Sequence, residues 1–223
     1  MLVNVTGPGL RWSMTASDAA LMTLLRAIIA DDAATASQLL AESPELANTR
    51  VQTGATRQRA TEHYIVEIEH YLYAGDSALH AAAAAYRPAM TRLLVAGGAQ
   101  VDARNRRGAQ PLHYAADGAP GSRTWNPRAQ AETVTCIIEA GADPNATDKS
   151  GVTPLHRAVR TRCAAAVVAL LDGGADARRT NNRGSTPMQL ATRATGRGGT
   201  GSPESKAQQE EIVHQLQQRG VTG

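Results

Sequence analysis

Four copies of one short pattern constrain the fold more than any other feature of this chain. Each copy begins with a glycine and reads Gly-x-x-Pro/Ala-Leu/Met-His/Gln; the opening glycines are Gly75, Gly108, Gly151 and Gly184. Successive opening glycines lie 33, 43 and 33 residues apart. A fixed period of this length indicates an array of stacked units, in which each unit packs only on its neighbours.

A second pattern closes each unit, with an apolar run that ends in a glycine. The runs are 93–99, 136–143 and 169–176, and their last glycines are Gly98, Gly141 and Gly174. Such glycines can take a positive φ at a helix C-terminus. The last glycine follows the opening one by 23 residues in the first and third units but by 33 in the second, so the second unit contains ten extra residues.

Together the two patterns resemble the ankyrin-repeat family. The resemblance implies an all-α repeat solenoid, a stack of helix-turn-helix units with finger-like β-turns. It divides the chain into an irregular segment, 1–13, and a single ankyrin-repeat domain, 14–223, with Met14 as an alternative start. The first repeat is degenerate and the last is a cap; we expect repeats at about 17–50, 72–104, 105–147, 148–180 and 181–221, and insertions at about 51–73, 117–130 and 194–205.

Composition agrees with a stack rather than with one large core. Phe is absent and aromatic residues are 3% of the chain, which suits close helix packing through Ala, Leu, Ile and Val. The formal charge of +3 does not favour a nucleic-acid partner. The sequence contains no apolar run of about 18 residues, so no membrane span is predicted. We expect a cytoplasmic protein in which Cys136 and Cys163 are buried, reduced thiols.

The motif histidines have a structural role in the family. The resemblance implies that His80, His113 and His156 bond to neighbouring backbone and tie adjacent repeats together, while Gln189 puts that role in doubt at the fourth site. Histidines one repeat apart are too distant to share a metal ion, whose nitrogen ligands bind at about 2 Å. We therefore assign no metal, no cofactor and no catalytic residue, and we expect no enzyme activity.

Ankyrin proteins usually bind partner proteins on the concave face formed by the finger turns and the first helices. The resemblance predicts a protein-binding module or scaffold of this kind. Tyr73 and the arginines are the best anchors, because aromatic residues and Arg dominate binding hot spots. The expected contact residues are Tyr73, Asp76, Arg104, Arg106, Arg107, Asp117, Thr147, Lys149, Arg160, Thr161 and Arg193.

The 51–73 insertion leaves two other functions open. Its residues 64–68 alternate in a weakly strand-like way, with helix as the competing prediction. The insertion could be a lid over a small-molecule or enzyme site, or it could mediate homo-oligomerisation, although a monomer is favoured. The flap residues with chemical potential are His63, Tyr64, His70 and Tyr71.

Overall fold

The computed structural model describes residues 16–56, 58, 60–192 and 203–221. The helices are α1 (Ala16–Ala30), α2 (Ala33–Glu42), α3 (Ala78–Ala84), α4 (Pro88–Ala96), α5 (Pro111–Ala115), α6 (Pro127–Glu139), α7 (Pro154–Arg160), α8 (Ala164–Asp172), α9 (Pro187–Thr192) and α10 (Pro203–Gln218). Short 3-10 helices occupy Pro44–Ala47, Thr61–His63 and Val66–Ile68, and two strands are β1 (Tyr64–Ile65) and β2 (His70–Tyr71).

The helices stack in two rows. The first helices of successive pairs contact one another in the order α1, α3, α5, α7, α9, and the second helices do so in the order α2, α4, α6, α8, α10. The core between them is made largely of Ala, Leu, Ile and Val, as the composition predicts. The all-α repeat solenoid is confirmed. None of the described helices is long and apolar enough to cross a membrane.

Each regular repeat is built from the local chemistry of its motif. In α7, Pro154 occupies the first turn, where its missing N–H is not needed, and the Thr153 side chain accepts a hydrogen bond from the His156 amide. Just after the C-terminal ends of the second helices α4, α6 and α8, Gly98, Gly141 and Gly174 have φ of 82°, 98° and 91°. Side chains rarely adopt this conformation, so glycine is favoured where the chain leaves the helix.

Finger-like turns join the repeats at 105–109, 148–152 and 181–185. Within each turn the first amide donates to the last carbonyl, as from Asn105 to Ala109 at 3.0 Å. Adjacent turns are also bonded, because Lys149 N donates to Arg107 O at 3.0 Å and Asn182 N donates to Ser150 O at 3.1 Å. The turns therefore form one continuous edge of the stack.

The motif histidines tie the repeats together as predicted. His80 Nδ1 accepts from the Ser77 amide at 3.2 Å, and its Nε2 lies 3.2 Å from Ala109 O in the next repeat. A carbonyl only accepts, so Nε2 carries the proton. The corresponding Nε2 bonds run from His113 to Val152 O and from His156 to Ser185 O, both at 3.0 Å. Burial lowers the pKa of His80 and of His113 to about 3, so both rings are neutral.

Gln189 keeps half of the histidine role in the last repeat. Its Oε1 accepts from the Thr186 amide at 3.1 Å, which reproduces the bond made by the histidine Nδ1. The Gln189 side chain is exposed. The motif position is therefore used for capping there, and the buried geometry of the other three repeats is not reproduced.

The 51–73 insertion forms a small hairpin on the first regular repeat. Strands β1 and β2 are antiparallel, with Tyr64 opposite Tyr71 and Ile65 opposite His70. The predicted strand is correct at 64–65 but wrong for Val66 and Ile68, because a 3-10 turn reverses the chain there. Farther back, Ala55 N donates to Leu72 O at 2.7 Å and anchors the base of the hairpin.

The other two predicted insertions have different outcomes. The extra residues of the second unit form a loop at 116–126 between α5 and α6, and residues 127–130 already belong to α6. Most of the third insertion lies outside the described residues. Arg193, segment 1–13 and Met14 lie outside them entirely. Both cysteines are buried and free, Cys136 in α6 and Cys163 immediately before α8.

Candidate functional site

One cavity lies where the insertion, the ends of α3 and α5, and the 116–126 loop meet. Its volume is about 770 Å³, within the range of small-molecule sites. The whole sequence has only two Trp, five Tyr and no Phe. Five of these seven aromatic residues line this space, which we call the aromatic cavity: Tyr71, Tyr73, Tyr86, Tyr114 and Trp125.

A buried polar cluster supports the inner wall of the aromatic cavity. The Asp76 carboxylate accepts from Tyr73 N at 2.7 Å, from Asn105 Nδ2 at 2.9 Å and from Tyr114 OH at 2.9 Å. Burial raises the pKa of Asp76 to about 6, although the three hydrogen bonds favour its ionised form. The cluster therefore holds Tyr114 in place through a carboxylate that titrates close to neutral pH.

His70, in strand β2 of the insertion, lines the aromatic cavity. Its ring centroid lies 4.5 Å from that of Tyr114, in a tilted arrangement. Burial lowers the pKa of His70, while the carboxylates of Asp117 and Asp76 oppose that shift. The imidazole is therefore uncharged at neutral pH, and it serves here as a packed aromatic surface.

Arg157 is a buried cation that also lines the aromatic cavity. It is 7% exposed, and its guanidinium lies 3.6 Å from Asp117 Oδ2 and 3.3 Å from Asp148 Oδ2. The 116–126 loop is fixed beside it, because the Asp117 carbonyl accepts from Tyr86 OH at 2.5 Å and from Gln130 Nε2 at 3.1 Å. The walls are therefore held by hydrogen bonds rather than by packing alone.

Exposed cations surround Tyr73 at the finger edge. The guanidinium carbons of Arg106 and Arg107 lie 5.5 and 5.0 Å from the Tyr73 ring centroid, within cation–π range. Arg107 Nη1 also donates to Tyr73 OH at 3.0 Å, and Arg106 donates to Ala55 O. Next to them, Arg104 Nη1 donates to Thr147 O at 2.8 Å.

Comparison with known protein families identifies this architecture. The family "Ankyrin repeat" matches residues 74–106 and 107–149, and "Ankyrin repeats (many copies)" matches residues 137–191. Together the matches cover more than half of the chain. The chain belongs to the ankyrin-repeat family. No curated protein matches it. Ankyrin repeats are generally protein–protein interaction modules and are typically non-catalytic.

The ankyrin-repeat structure corrects one predicted contact residue outright. Asp76 is 0% exposed, so the expectation that it faces a partner is wrong. Asp76 does lie just before the first helix of its repeat, where partner-binding residues are expected. Asn105 and Tyr114 of the next repeat nevertheless cover it. A residue at a finger position is buried when the following repeat supplies donors for it.

The other predicted contact residues fall into two groups. Exposed side chains are found at Arg104, Arg106, Arg107, Lys149 and Arg160, whereas Tyr73, Asp117, Thr147 and Thr161 are half-buried. The aromatic cavity gathers Tyr73, Arg107 and Asp117, but Arg160 and Thr161 do not line it.

The flap residues separate in the same way. His70 and Tyr71 line the aromatic cavity. His63 is buried in the base of the hairpin, and Tyr64 is 38% exposed with its ring 4.8 Å from that of Tyr71.

Sequence reasoning missed Tyr86, Tyr114 and Arg157 as site residues. Tyr114 and Arg157 sit inside helices that read as core, and Tyr86 follows α3 with a φ of 51°. The sequence did contain a signal for them. Aromatic residues are so rare in this chain that each Tyr and Trp is a candidate for a specific role. Among the described residues, no group of three His, Cys, Asp or Glu side chains could hold a metal ion.

Proposed function

We propose that this ankyrin-repeat protein binds a protein partner on its finger turns and first helices. The observation that carries the proposal is the exposed pair Arg106 and Arg107 stacked on Tyr73. Tyr and Arg are, with Trp, the residues enriched at interface hot spots. Within the described residues these two arginines form no ion pair with a carboxylate, so their charge is available to a partner.

The finger cations are also held in position before binding. Arg104 donates to Thr147 O at 2.8 Å and Arg179 donates to Asn145 O at 2.9 Å, so each joins neighbouring repeats beside the finger turns. Prior ordering reduces the entropy lost on association. This edge therefore favours a partner segment that presents carboxylates along it. Because Cys136 and Cys163 are free thiols, we also propose that the protein acts in the cytoplasm.

A three-site variant tests this function. A partner is captured from an extract of the cells that make the protein, and its affinity is measured for the combined variant Tyr73→Ala, Arg107→Ala and Arg160→Ala. We expect the dissociation constant to rise at least a hundredfold. The matched control is Arg92→Ala with Arg219→Ala, two exposed arginines away from the finger edge. An unchanged affinity in the three-site variant would contradict the proposal.

A second function, binding of a small ligand under the insertion, is favoured by the aromatic cavity itself. His70 from the hairpin faces the same space as Tyr114 from α5, as expected if the hairpin covers a ligand. Hydrogen exchange tests this function. A ligand in the cavity should slow exchange of the amides of β1 and β2, whereas amides of α8 should not respond.

A further inference from the structure

A second, smaller cavity lies between the insertion and the first finger turn. Its volume is about 320 Å³. Two alanines of the insertion line it together with five polar residues, and we call it the arginine pocket: Thr56, Tyr71, Tyr73, Arg106 and Arg107. None of the described residues that line this pocket is Asp or Glu. Its lining is therefore positive, whereas arginines and carboxylates both line the aromatic cavity.

The charges of the two arginines are not compensated. Within the described residues, neither guanidinium forms an ion pair with a carboxylate. Arg106 donates to Ala55 O, and Arg107 Nη1 donates to Tyr73 OH at 3.0 Å. Both acceptors are neutral, so these bonds orient the guanidinium groups and leave their charge in place. A guanidinium has five N–H donors, so most of them remain for a ligand.

The second finger turn adds another cation beside the arginine pocket. Arg106 and Arg107 share a neighbouring cleft with the exposed Lys149 and with Asp148. The Asp148 carboxylate already accepts from two backbone amides of its own turn and from Arg157 Nη2 at 3.3 Å. Across the two spaces, the described lining residues include three cations and one carboxylate. The positive charge therefore extends along the finger edge.

The two guanidinium groups are held on one aromatic ring. Their carbons lie 5.5 and 5.0 Å from the Tyr73 centroid. The backbone beneath them is fixed, because Arg106 N donates to Ala74 O at 2.8 Å and Tyr73 N donates to the buried Asp76 carboxylate at 2.7 Å. Two like charges held close together repel each other, and an anion that bonds to both turns this repulsion into attraction. The pair is thus arranged for an oxyanion before a ligand arrives.

A phosphate monoester matches this arrangement better than a carboxylate does. It carries a charge of about −1.5 to −2 at pH 7 and three strong acceptor oxygens, so it can meet two guanidinium groups at once. The planar fork of arginine suits such an oxyanion. A side-chain carboxylate has a single charge and two oxygens, and one guanidinium is enough to satisfy it.

We propose that the arginine pocket binds a phosphate monoester on a side chain of the partner protein, through the guanidinium groups of Arg106 and Arg107. Both arginines are exposed on the finger edge, where the proposed function places the partner. The inference rests on that proposed function, and it names the chemical group by which the partner is recognised.

Three matched tripeptides test the ligand class. They are acetyl-Gly-phosphoserine-Gly-amide, acetyl-Gly-Glu-Gly-amide and acetyl-Gly-Ser-Gly-amide, titrated at one ionic strength and followed by NMR. We expect the phosphorylated peptide to have a dissociation constant at least tenfold lower than the Glu peptide, and the Ser peptide to bind most weakly. Equal affinity for the phosphorylated and Glu peptides, or binding of none of the three, would overturn the proposal.

Charge-matched variants locate the binding. Arg106→Gln with Arg107→Gln should weaken the phosphorylated peptide at least tenfold. The control is Arg179→Gln with Arg183→Gln, which removes the same charge from exposed arginines near the last finger turn that do not line the pocket. The control should keep the affinity of the parent chain, and urea denaturation checks that both variants are folded. Equal losses in the two would mean unspecific attraction to a basic edge, and the proposal would fail.

Two further measurements identify the source of the phosphate. Inorganic phosphate represents a free ion, and if it binds as tightly as the phosphorylated peptide, the ligand is not a partner side chain and the proposal fails. Phosphatase treatment of the captured partner should raise its dissociation constant at least tenfold. A partner that keeps its affinity after this treatment, but loses it with the three-site variant, would overturn the phosphate and leave the protein-binding function standing. A partner that keeps its affinity in both experiments would overturn both.

Discussion

The α7–α8 repeat and the region of the aromatic cavity use the same residue types for different purposes. In the regular repeat, both ring nitrogens of His156 bond to backbone, one in its own repeat and one in the next. In the hairpin, His70 packs its ring against Tyr114 and faces a cavity. A residue that recurs once in every repeat stabilises the stack, whereas a residue in an insertion is available for function.

Removing a repeat histidine should have the largest effect on stability. His113→Ala leaves a cavity in the core, takes away the acceptor of the Gln110 amide and removes one of the two donors to the Val152 carbonyl, so we expect a loss of about 3 kcal/mol in the free energy of unfolding. His70→Ala, in the insertion, should cost about 1 kcal/mol or less. Urea denaturation of both variants, with the exposed His214→Ala as control, makes the comparison. Equal losses for His113 and His70 would break the distinction between the two regions.

The second largest effect should come from acid, which should lower the stability of the regular repeats. The pKa of His80 and of His113 is about 3 in the folded state and near the ordinary value of about 6.5 when unfolded. The unfolded chain thus binds more protons below pH 6.5, and stability falls as pH falls. Asp76 acts oppositely, because its pKa is raised to about 6 and its protonation below that value favours folding. From pH 7 to pH 5 we expect a net loss on the order of 2 kcal/mol.

The same titration separates the two regions. Asp76→Asn removes the opposing group beside the cavity, so the loss between pH 7 and pH 5 should become larger than in the parent chain. Denaturation at a series of pH values measures both slopes. A stability that rises toward pH 5 in the variant would contradict the sign given to the histidines.

A smaller effect is expected at a helix end of the regular repeat. Gly174 has a φ of 91°, and a Cβ there would meet no atom within 4 Å. Gly174→Ala should therefore cost about 1 kcal/mol from backbone conformation alone. In thermal unfolding, a shift much larger than for other left-handed surface glycines, such as Gly98→Ala, would show that space rather than conformation is limiting.

The tip of the hairpin should matter least for stability. Val66 is 70% exposed, so Val66→Ser should change the free energy of unfolding by less than about 0.5 kcal/mol. Calorimetric melting checks this. A loss of 1 kcal/mol or more would mean that the tip packs against the stack, and it would bring the insertion closer to the regular repeats in character.

The periodic half of this structure could be predicted from sequence, and the cavity could not. Pro154 and Thr153 determine the start of α7 by local chemistry, and the glycine spacing gives the repeat order. The cavity depends on how two separate departures from the period meet in space, which no local pattern contains. Asp76 illustrates the limit, because its burial is decided by Asn105 and Tyr114, residues that belong to another repeat.

The histidine bonds give the array a direction. Each Nε2 donates forward, from His80 to Ala109 O, from His113 to Val152 O and from His156 to Ser185 O. Cutting away the last repeat, residues 181–221, would remove the acceptor of His156, whereas cutting away α1 and α2 would remove the acceptor of none of the three. The stack should therefore tolerate shortening from its amino end better than from its carboxyl end, so it behaves as a polar assembly whose units are not interchangeable at the two ends.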